Sequence, residues 1–316
     1  MSQSPEARAR LTRSAAYASI AMAVFLTVLK SWAVWRTGST AMLGSLADTL
    51  LDFVASFATL IGVWVAAMPA DEDHRFGHGK AEALAAMFQV ILIVLSAGGI
   101  AFRAVTGLIE GGRTEAADQG IAVSVLAILG TLALLAWQRH VIRKTGSLAI
   151  RTDNVHYQSD LLLNLAVIVA LVLDQYLGLS RADPLFGLAI AVWLLWGAWR
   201  ASRDAVDNLM DREWPEEKRL RFVELAARHP ELSKLHDLRT RTSGDRDFVQ
   251  FHVDLPAAMS VGEAHDIIER VEQDLCREFP RMELLIHIDP EGHVDHPGNQ
   301  LAEADEFDKL EKSHDR

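Results

Sequence analysis

Long apolar runs alternate with short polar or glycine-rich breaks over the first two thirds of the chain. Runs at about residues 14–35, 40–67, 83–108, 119–142, 149–174 and 183–207 each supply the roughly 20 apolar residues that a helix needs to cross a bilayer. The breaks fall at 36–39, 69–82, 109–118, 143–148 and 175–182. The pattern predicts a six-transmembrane-helix bundle over residues 12–208, preceded by an N-terminal tail over 1–11. An even number of spans puts both ends of the bundle on one side. Arg8, Arg10 and Arg13, then Arg75 and Lys80, then Arg139, Arg143, Lys144 and Arg151, then Arg200 and Arg203 all fall on that side. The opposite side carries Arg36, Arg113 and Arg181 among Glu110, Glu115 and Asp118. This bias predicts that both termini are cytoplasmic. Trp35, Trp64, Trp137 and Trp199 sit near span ends, as an interfacial aromatic belt requires.

After residue 208 the period changes. Residues 215–228 repeat as a helix, and 236–242 and 248–255 alternate as strands around the turn signal Ser243-Gly244-Asp245. Ser260, with Glu263 three residues on, forms a capping box for an amphipathic helix over 260–279, and 282–288 reads as a last strand. The order αββαβ over 209–290 predicts a small cytoplasmic α+β domain with two helices on one sheet face. Residues 291–316 are acidic and lack an apolar period, which predicts a disordered tail.

The chain is 50% hydrophobic with a mean hydropathy of +0.13, yet 23% of its residues are charged. Segregation of charge into the second part reconciles these values. The net charge of −11 excludes nucleic acid as a partner. The single cysteine, Cys276, rules out an intrachain disulfide and a thiolate cluster, so any metal must be held by His, Asp and Glu.

Four ionisable residues interrupt two of the apolar runs. Asp48 and Asp52 are i,i+4 in the second run, and His156 and Asp160 are i,i+4 in the fifth. Each pair therefore projects from one helix face. Three uncompensated acids at mid-bilayer would cost on the order of 8–10 kcal/mol on insertion scales. Protons or a bound cation would relieve that cost; structural zinc sites supply apparent binding energies of ~10–16 kcal/mol. One imidazole and three carboxylates can surround a dication, and the nitrogen favours zinc over magnesium or calcium. Polar residues also glue helices together in membranes, but that role falls mostly to Ser, Thr, Asn and Gln.

Two further groups carry metal-ligating residue types. Asp71, His74 and His78 lie within eight residues of a loop that also holds Gly77 and Gly79, where a zinc site and a solvated polar loop fit equally well. His236, His252, His265, His287 and Asp289 fall in the αββαβ region. His287 and Asp289 share a strand face, whereas the spacing of the others leaves convergence open.

At these residues a resemblance becomes specific. The segments Leu46-Ala47-Asp48-Thr49-Leu50-Leu51-Asp52 and His156-Tyr157-Gln158-Ser159-Asp160 resemble the second- and fifth-span motifs of the cation diffusion facilitator family, most closely its bacterial zinc/iron efflux branch. Residues 75–82, the stretch His236-Asp237-Leu238-Arg239-Thr240-Arg241, and Ile286-His287-Ile288-Asp289-Pro290 match as well. The resemblance spans residues 10–290. It implies a homodimeric zinc/proton antiporter of the bacterial inner membrane with a metallochaperone-like cytoplasmic domain. Zinc would be both cargo and regulatory ligand, with cadmium and ferrous iron as further cargo. It assigns Asp48, Asp52, His156 and Asp160 to the transport site, Asp71, His74 and His78 to a loop site, and His236, His252, His265, His287 and Asp289 to a binuclear site at the dimer contact. It also implies an ion pair between Lys80 and Asp211. The branch often carries glutamine where this chain has Ile288, which cannot coordinate a metal. Two rival classes remain: a membrane-tethered zinc sensor that does not transport, and an intramembrane metallohydrolase. The second would need a motif such as His-Glu-x-x-His, which the chain lacks.

Overall fold

The computed structural model describes residues 5–37, 40–110, 121–177, 182–232, 234–292, 305–307 and 310. The chain divides into two compact units between Asp207 and Asn208. The expected 111–118 loop, residues 178–181 and most of the tail lie outside the described residues.

Among the described residues, the first unit contains six long helices: α1 (Pro5–Thr37), α2 (Thr40–Ala66), α3 (Ala81–Glu110), α4 (Ile121–Thr145), α5 (Leu148–Leu177) and α6 (Ala182–Leu209). The shortest has 25 residues, about 37 Å of helix and enough for a bilayer. In α1, α2, α3 and α6 the stretches Glu6–Arg36, Thr49–Ala66, Ala81–Ile109 and Pro184–Leu209 are long and apolar enough to cross a membrane. Helix α5 carries most of its polar residues between Arg151 and Asp160. It packs against α1, α2, α3 and α4, and its Val155 presses on Gly197 of α6. Its polar residues therefore face protein and not lipid.

The bundle buries polar side chains beside its apolar clusters and turns large apolar side chains outward. Ser19, Thr49, Ser56, Thr59, Gln89, Gln138 and Asp153 are buried, whereas Leu95, Phe102 and Trp199 are 66%, 70% and 60% exposed. Large apolar side chains facing outward all round suit a hydrocarbon solvent, in which polar groups must find partners within the protein.

The N-terminal segment departs from the expected tail over 1–11, since α1 is already helical from Pro5. Proline at the first helical position and Glu6 in the first turn favour that start. Arg8 Nε donates to the Thr145 carbonyl at 2.7 Å, satisfying an open acceptor in the last turn of α4.

The second unit contains α7 (Glu216–Ala226), β1 (Leu235–Ser243), β2 (Arg246–Leu255), α8 (Val261–Glu278) and β3 (Met282–Pro290). The sheet order is β1-β2-β3; β1 pairs antiparallel with β2, and β3 pairs parallel with it. Both halves of the α8 capping box form. Phe222, Val223 and Ala226 of α7, with Val271 and Leu275 of α8, pack on Val249, Phe251 and Val253 of β2. Phe222 stands edge-on to Phe251 and Trp214, with ring centroids 5.7 and 6.1 Å apart.

The acidic end also departs from expectation. Glu306 is 2% exposed and its Oε1 accepts from Arg219 Nη2 of α7 at 2.8 Å. Asp305 Oδ1 accepts from the Leu235 backbone N–H at 3.3 Å, and Phe307 and Leu310 pack on the core. This short piece of the segment read as disordered is seated because it brings two apolar side chains to the core and an acid to Arg219 of α7.

The α2–α3 contact relies on Gly62. A Cβ there would stand 2.3 Å from Ala85 Cβ and 3.1 Å from the Ala81 carbonyl oxygen. Gly62→Ala should push the helices apart at the overpacking cost of about 1–3 kcal/mol. Thermal unfolding of the detergent-solubilised protein should begin several degrees lower; an unchanged transition would contradict this close approach.

Candidate metal centres

The intramembrane set is assembled by α2 and α5. His156 is buried, with Nε2 2.9 Å from Asp52 Oδ1. Asp52, His156 and Asp160 each offer a ligand atom within 4.8 Å of the others. Asp160 Oδ2 is buried without a hydrogen-bond partner. A buried lone-pair oxygen facing no donor is costly, and a cation is the natural partner for it. Asp48 lies one turn before Asp52 on α2; its side chain is outside the described residues. On α1, Lys30 donates from Nζ to Thr49 Oγ1 at 2.6 Å, in the turn between the two aspartates.

The loop set closes within one turn. Asp71 Oδ1 accepts from the backbone N–H groups of Asp73 and His74 at 3.1 and 2.6 Å. The His74 N–H holds the Asp71 carboxyl below its usual range, so it stays ionised at neutral pH. His74 Nδ1 lies 3.2 Å from Asp71 Oδ1 and His78 Nε2 lies 3.3 Å from Asp71 Oδ2. His78 Nδ1 is 3.2 Å from the Pro69 carbonyl, a bond it can make only as N–H donor. A neutral His78 then aims the Nε2 lone pair at a carboxylate. Two acceptors at that distance need a proton or a cation between them, so the donor set fits a metal.

The cytoplasmic set is a product of strand register. His236 of β1 pairs with His252 of β2, which pairs with His287 of β3. The three imidazoles form a row across the sheet, with ring centroids 5.4 and 4.5 Å apart. A bulge between His236 and Arg239, with Asp237 at φ 50°, twists the start of β1. Asp289, two residues after His287, receives all three: Oδ2 is 2.8 Å from His252 Nδ1 and 3.5 Å from His236 Nε2, and Oδ1 is 3.5 Å from His287 Nε2. Burial alone would raise the Asp289 carboxyl, but the His252 hydrogen bond and the adjoining histidines hold it below its usual range. His236, His252 and Asp289 offer ligand atoms within 4.8 Å of one another, and His236 Nδ1 is buried without a hydrogen bond. His265 on α8 is exposed and is not part of this cluster.

Comparison with known proteins gives the family. The family model described as Cation efflux transmembrane domain matches residues 16–210, and the one described as Cation efflux protein, cytoplasmic domain, matches residues 214–291. The cation-efflux pump FieF of Klebsiella pneumoniae is 42% identical over 285 residues, 90% of this chain and 95% of that protein. The FieF of Cronobacter sakazakii is 43% identical over 281 residues, 89% and 93% of the two chains. The chain belongs to the cation diffusion facilitator family. It is a membrane protein and a cation efflux transporter, and these relatives are named as pumps, not enzymes. Among solved structures, CzrB in its Zn form is 34% identical and covers 27% of this chain and 99% of that one, with a TM-score of 0.24. The metal-bound C-terminal domain of the CzcD transporter from Thermotoga maritima is 22% identical and covers 26% and 99%, with a TM-score of 0.24.

Within this cation diffusion facilitator, the structure adds residues that the spacing did not single out. Asp254 of β2 stands 3.9 Å from His236 Nδ1. Asp153 of α5, three residues before His156, is wholly buried among Ser19, Gln89 and Gln138. Lys80 belongs to the first unit and Asp211 to the second. Within the second unit Asp211 Oδ2 accepts from Arg241 Nη1 at 3.4 Å.

Asp289 is the acid shared by three imidazoles. Asp289→Ala should weaken zinc binding at this cluster by more than the about 10–100-fold that loss of an outer-sphere partner costs. Equilibrium dialysis against a zinc indicator reads the change; wild-type affinity in the variant would remove Asp289 from the ligand set.

Proposed function

We propose that this transporter exports zinc from the cytoplasm in exchange for protons, with cadmium and ferrous iron as further cargo. The observation that carries this reading is the Asp52–His156–Asp160 set, within 4.8 Å and inside the bundle, with a buried oxygen lacking a partner. A mixed nitrogen and oxygen donor set favours zinc over magnesium or calcium. Metal ligands must lose protons to bind, so a dry site that holds either protons or a dication exchanges one for the other. Alternating access around the set, with Asp48 as the fourth ligand, then couples the two flows. The relatives are named cation-efflux pumps, which supports the direction of transport.

The cytoplasmic unit would serve as the regulatory half of a homodimer, in line with the ZT_dimer family model over residues 214–291. One protomer supplies His236, His252, His287 and Asp289. His265, exposed on α8, would enter only from the partner, making the zinc site binuclear at the contact. Ile288 supplies no ligand, so water completes one of the two ions. Zinc bound there would tighten the dimer and favour a transport-competent state. Asp71, His74 and His78 form the loop site. The basic loops support six spans and two cytoplasmic termini in a bacterial inner membrane.

Proteoliposomes loaded with a zinc indicator and given a pH gradient test the function. Wild-type protein should carry zinc against the proton flow, and a panel of metals should rank zinc with cadmium above manganese. Asp52→Ala or Asp160→Ala should abolish flux while cytoplasmic zinc binding persists. Wild-type flux in either variant rejects the site, and zinc binding without any flux favours the sensor. His74→Ala combined with His78→Ala should reduce bound zinc by about one ion per chain, the loss expected for one tetrahedral site; unchanged stoichiometry rejects the loop site.

A further inference from the structure

Asp153 is a buried acid that the zinc ligands do not use. It lies wholly inside the bundle on α5, three residues before His156. Its Oδ2 is 2.6 Å from Ser19 Oγ of α1 and 2.8 Å from Gln138 Nε2 of α4. Its Oδ1 is 2.9 Å from Gln89 Nε2 of α3. All three partners are neutral. Among the described residues, the titratable groups facing it are Asp52 on α2 and His156, Tyr157 and Asp160 on its own helix. An ionised carboxylate in such surroundings carries a large desolvation penalty, and an ionisable residue at membrane depth is a functional candidate by default.

The hydrogen bonds around Asp153 are complete in either protonation state. Ser19 Oγ also lies 3.1 Å from the Ala15 carbonyl and accepts from Gln138 Nε2 at 3.0 Å. When Asp153 is ionised, the Ser19 hydroxyl donates to Oδ2. When it is protonated, Oδ2–H donates to Ser19 Oγ, and the Ser19 hydroxyl turns to the Ala15 carbonyl. A hydroxyl rotates freely, so no heavy atom has to move between the two states. The neighbouring groups reinforce the arrangement. Gln138 Oε1 accepts from Asn154 at 2.9 Å, and Tyr157 donates to the Ser19 carbonyl at 3.0 Å.

We propose that Asp153 is a proton-holding site separate from the zinc ligands, filled when the intramembrane set is empty of metal and vacated when the dication arrives. His156 is i+3 from Asp153, so a dication on His156 sits about one helical turn away, where its charge favours the ionised acid. The proton returns to water when the bundle opens during access. This inference rests on the zinc/proton exchange proposed above and names where one of the exchanged protons resides.

Zinc titration of the full-length detergent-solubilised protein in weakly buffered medium, followed with a pH-indicator dye, counts the protons released per ion bound. Asp153→Asn keeps the size of the side chain and should bind zinc while releasing about one proton fewer per chain, as one titrating group is lost. Ser19→Ala keeps the acid but removes its switchable partner. The charge-assisted bond to the ionised form is the stronger one lost, so the pH midpoint of release should move up by about half a unit to one unit. A purely structural role would lower stability or slow zinc flux equally at every pH and leave the proton count intact. A wild-type count in Asp153→Asn, or an unmoved midpoint in Ser19→Ala, overturns the proposal. Failure of the exchange reading looks different: wild-type protein would then release no protons and show no flux driven by a pH gradient.

Discussion

A charge inside a bundle bathed in hydrocarbon must be matched by a partner, and the membrane unit is organised around that demand. The polar residues are gathered on the inward side of α5 and on the faces of its neighbours, and the outer surface is left to Leu95, Phe102 and Trp199. Neighbouring helices solvate the polar side chains of α5, as Gln89 and Gln138 do for Asp153. The same demand separates two kinds of acid on α5. Asp153 has all of its hydrogen bonds supplied by protein, whereas Asp160 keeps one oxygen with none. The first is suited to holding a proton and the second to receiving an ion.

The cytoplasmic unit reaches a similar donor set by a different route. Its ligating atoms come from three adjacent strands, and pairing alone places them in a row. Parallel pairing of β2 with β3 sets His252 against His287, antiparallel pairing sets His236 against His252, and the two-residue period turns Asp289 to the face of His287. A slip of one residue would send His236 to the other face if it fell in the β1–β2 pairing, and His287 with Asp289 if it fell in the β2–β3 pairing. The core formed by Phe222, Phe251, Val271 and Leu275 holds that register, so packing on one side of the sheet fixes chemistry on the other.

Much of this was legible in one dimension because it is local. Paired i,i+4 residues declared the shared faces of α2 and α5, the Ser260–Glu263 box marked the start of α8, and the Ser243-Gly244-Asp245 turn marked the hairpin. What was not legible depends on partners distant in the chain. Asp153 meets Ser19 and Gln89 across separations of 134 and 64 residues, and nothing in its own neighbourhood distinguishes it from an interfacial acid. The row of histidines required register, which alternation alone does not give. The early start of α1 was hidden by its arginines, although Pro5 and Glu6 are fair signals of a helix beginning. The segment around Glu306 is too short for a period to emerge, with only Phe307 and Leu310 spaced as neighbours on a helical turn.

That last segment bears on how the cytoplasmic half can be handled. Arg219 and the first residue of β1 both lean on the acidic stretch beyond Asp305. A fragment trimmed at Pro290 would lack Phe307 and Leu310 from the core, Glu306 beside Arg219, and the Asp305 acceptor for the N–H of Leu235, which adjoins the first histidine of the row. Calorimetry or crystallisation of the isolated half therefore concerns the same object only if the fragment reaches at least Leu310.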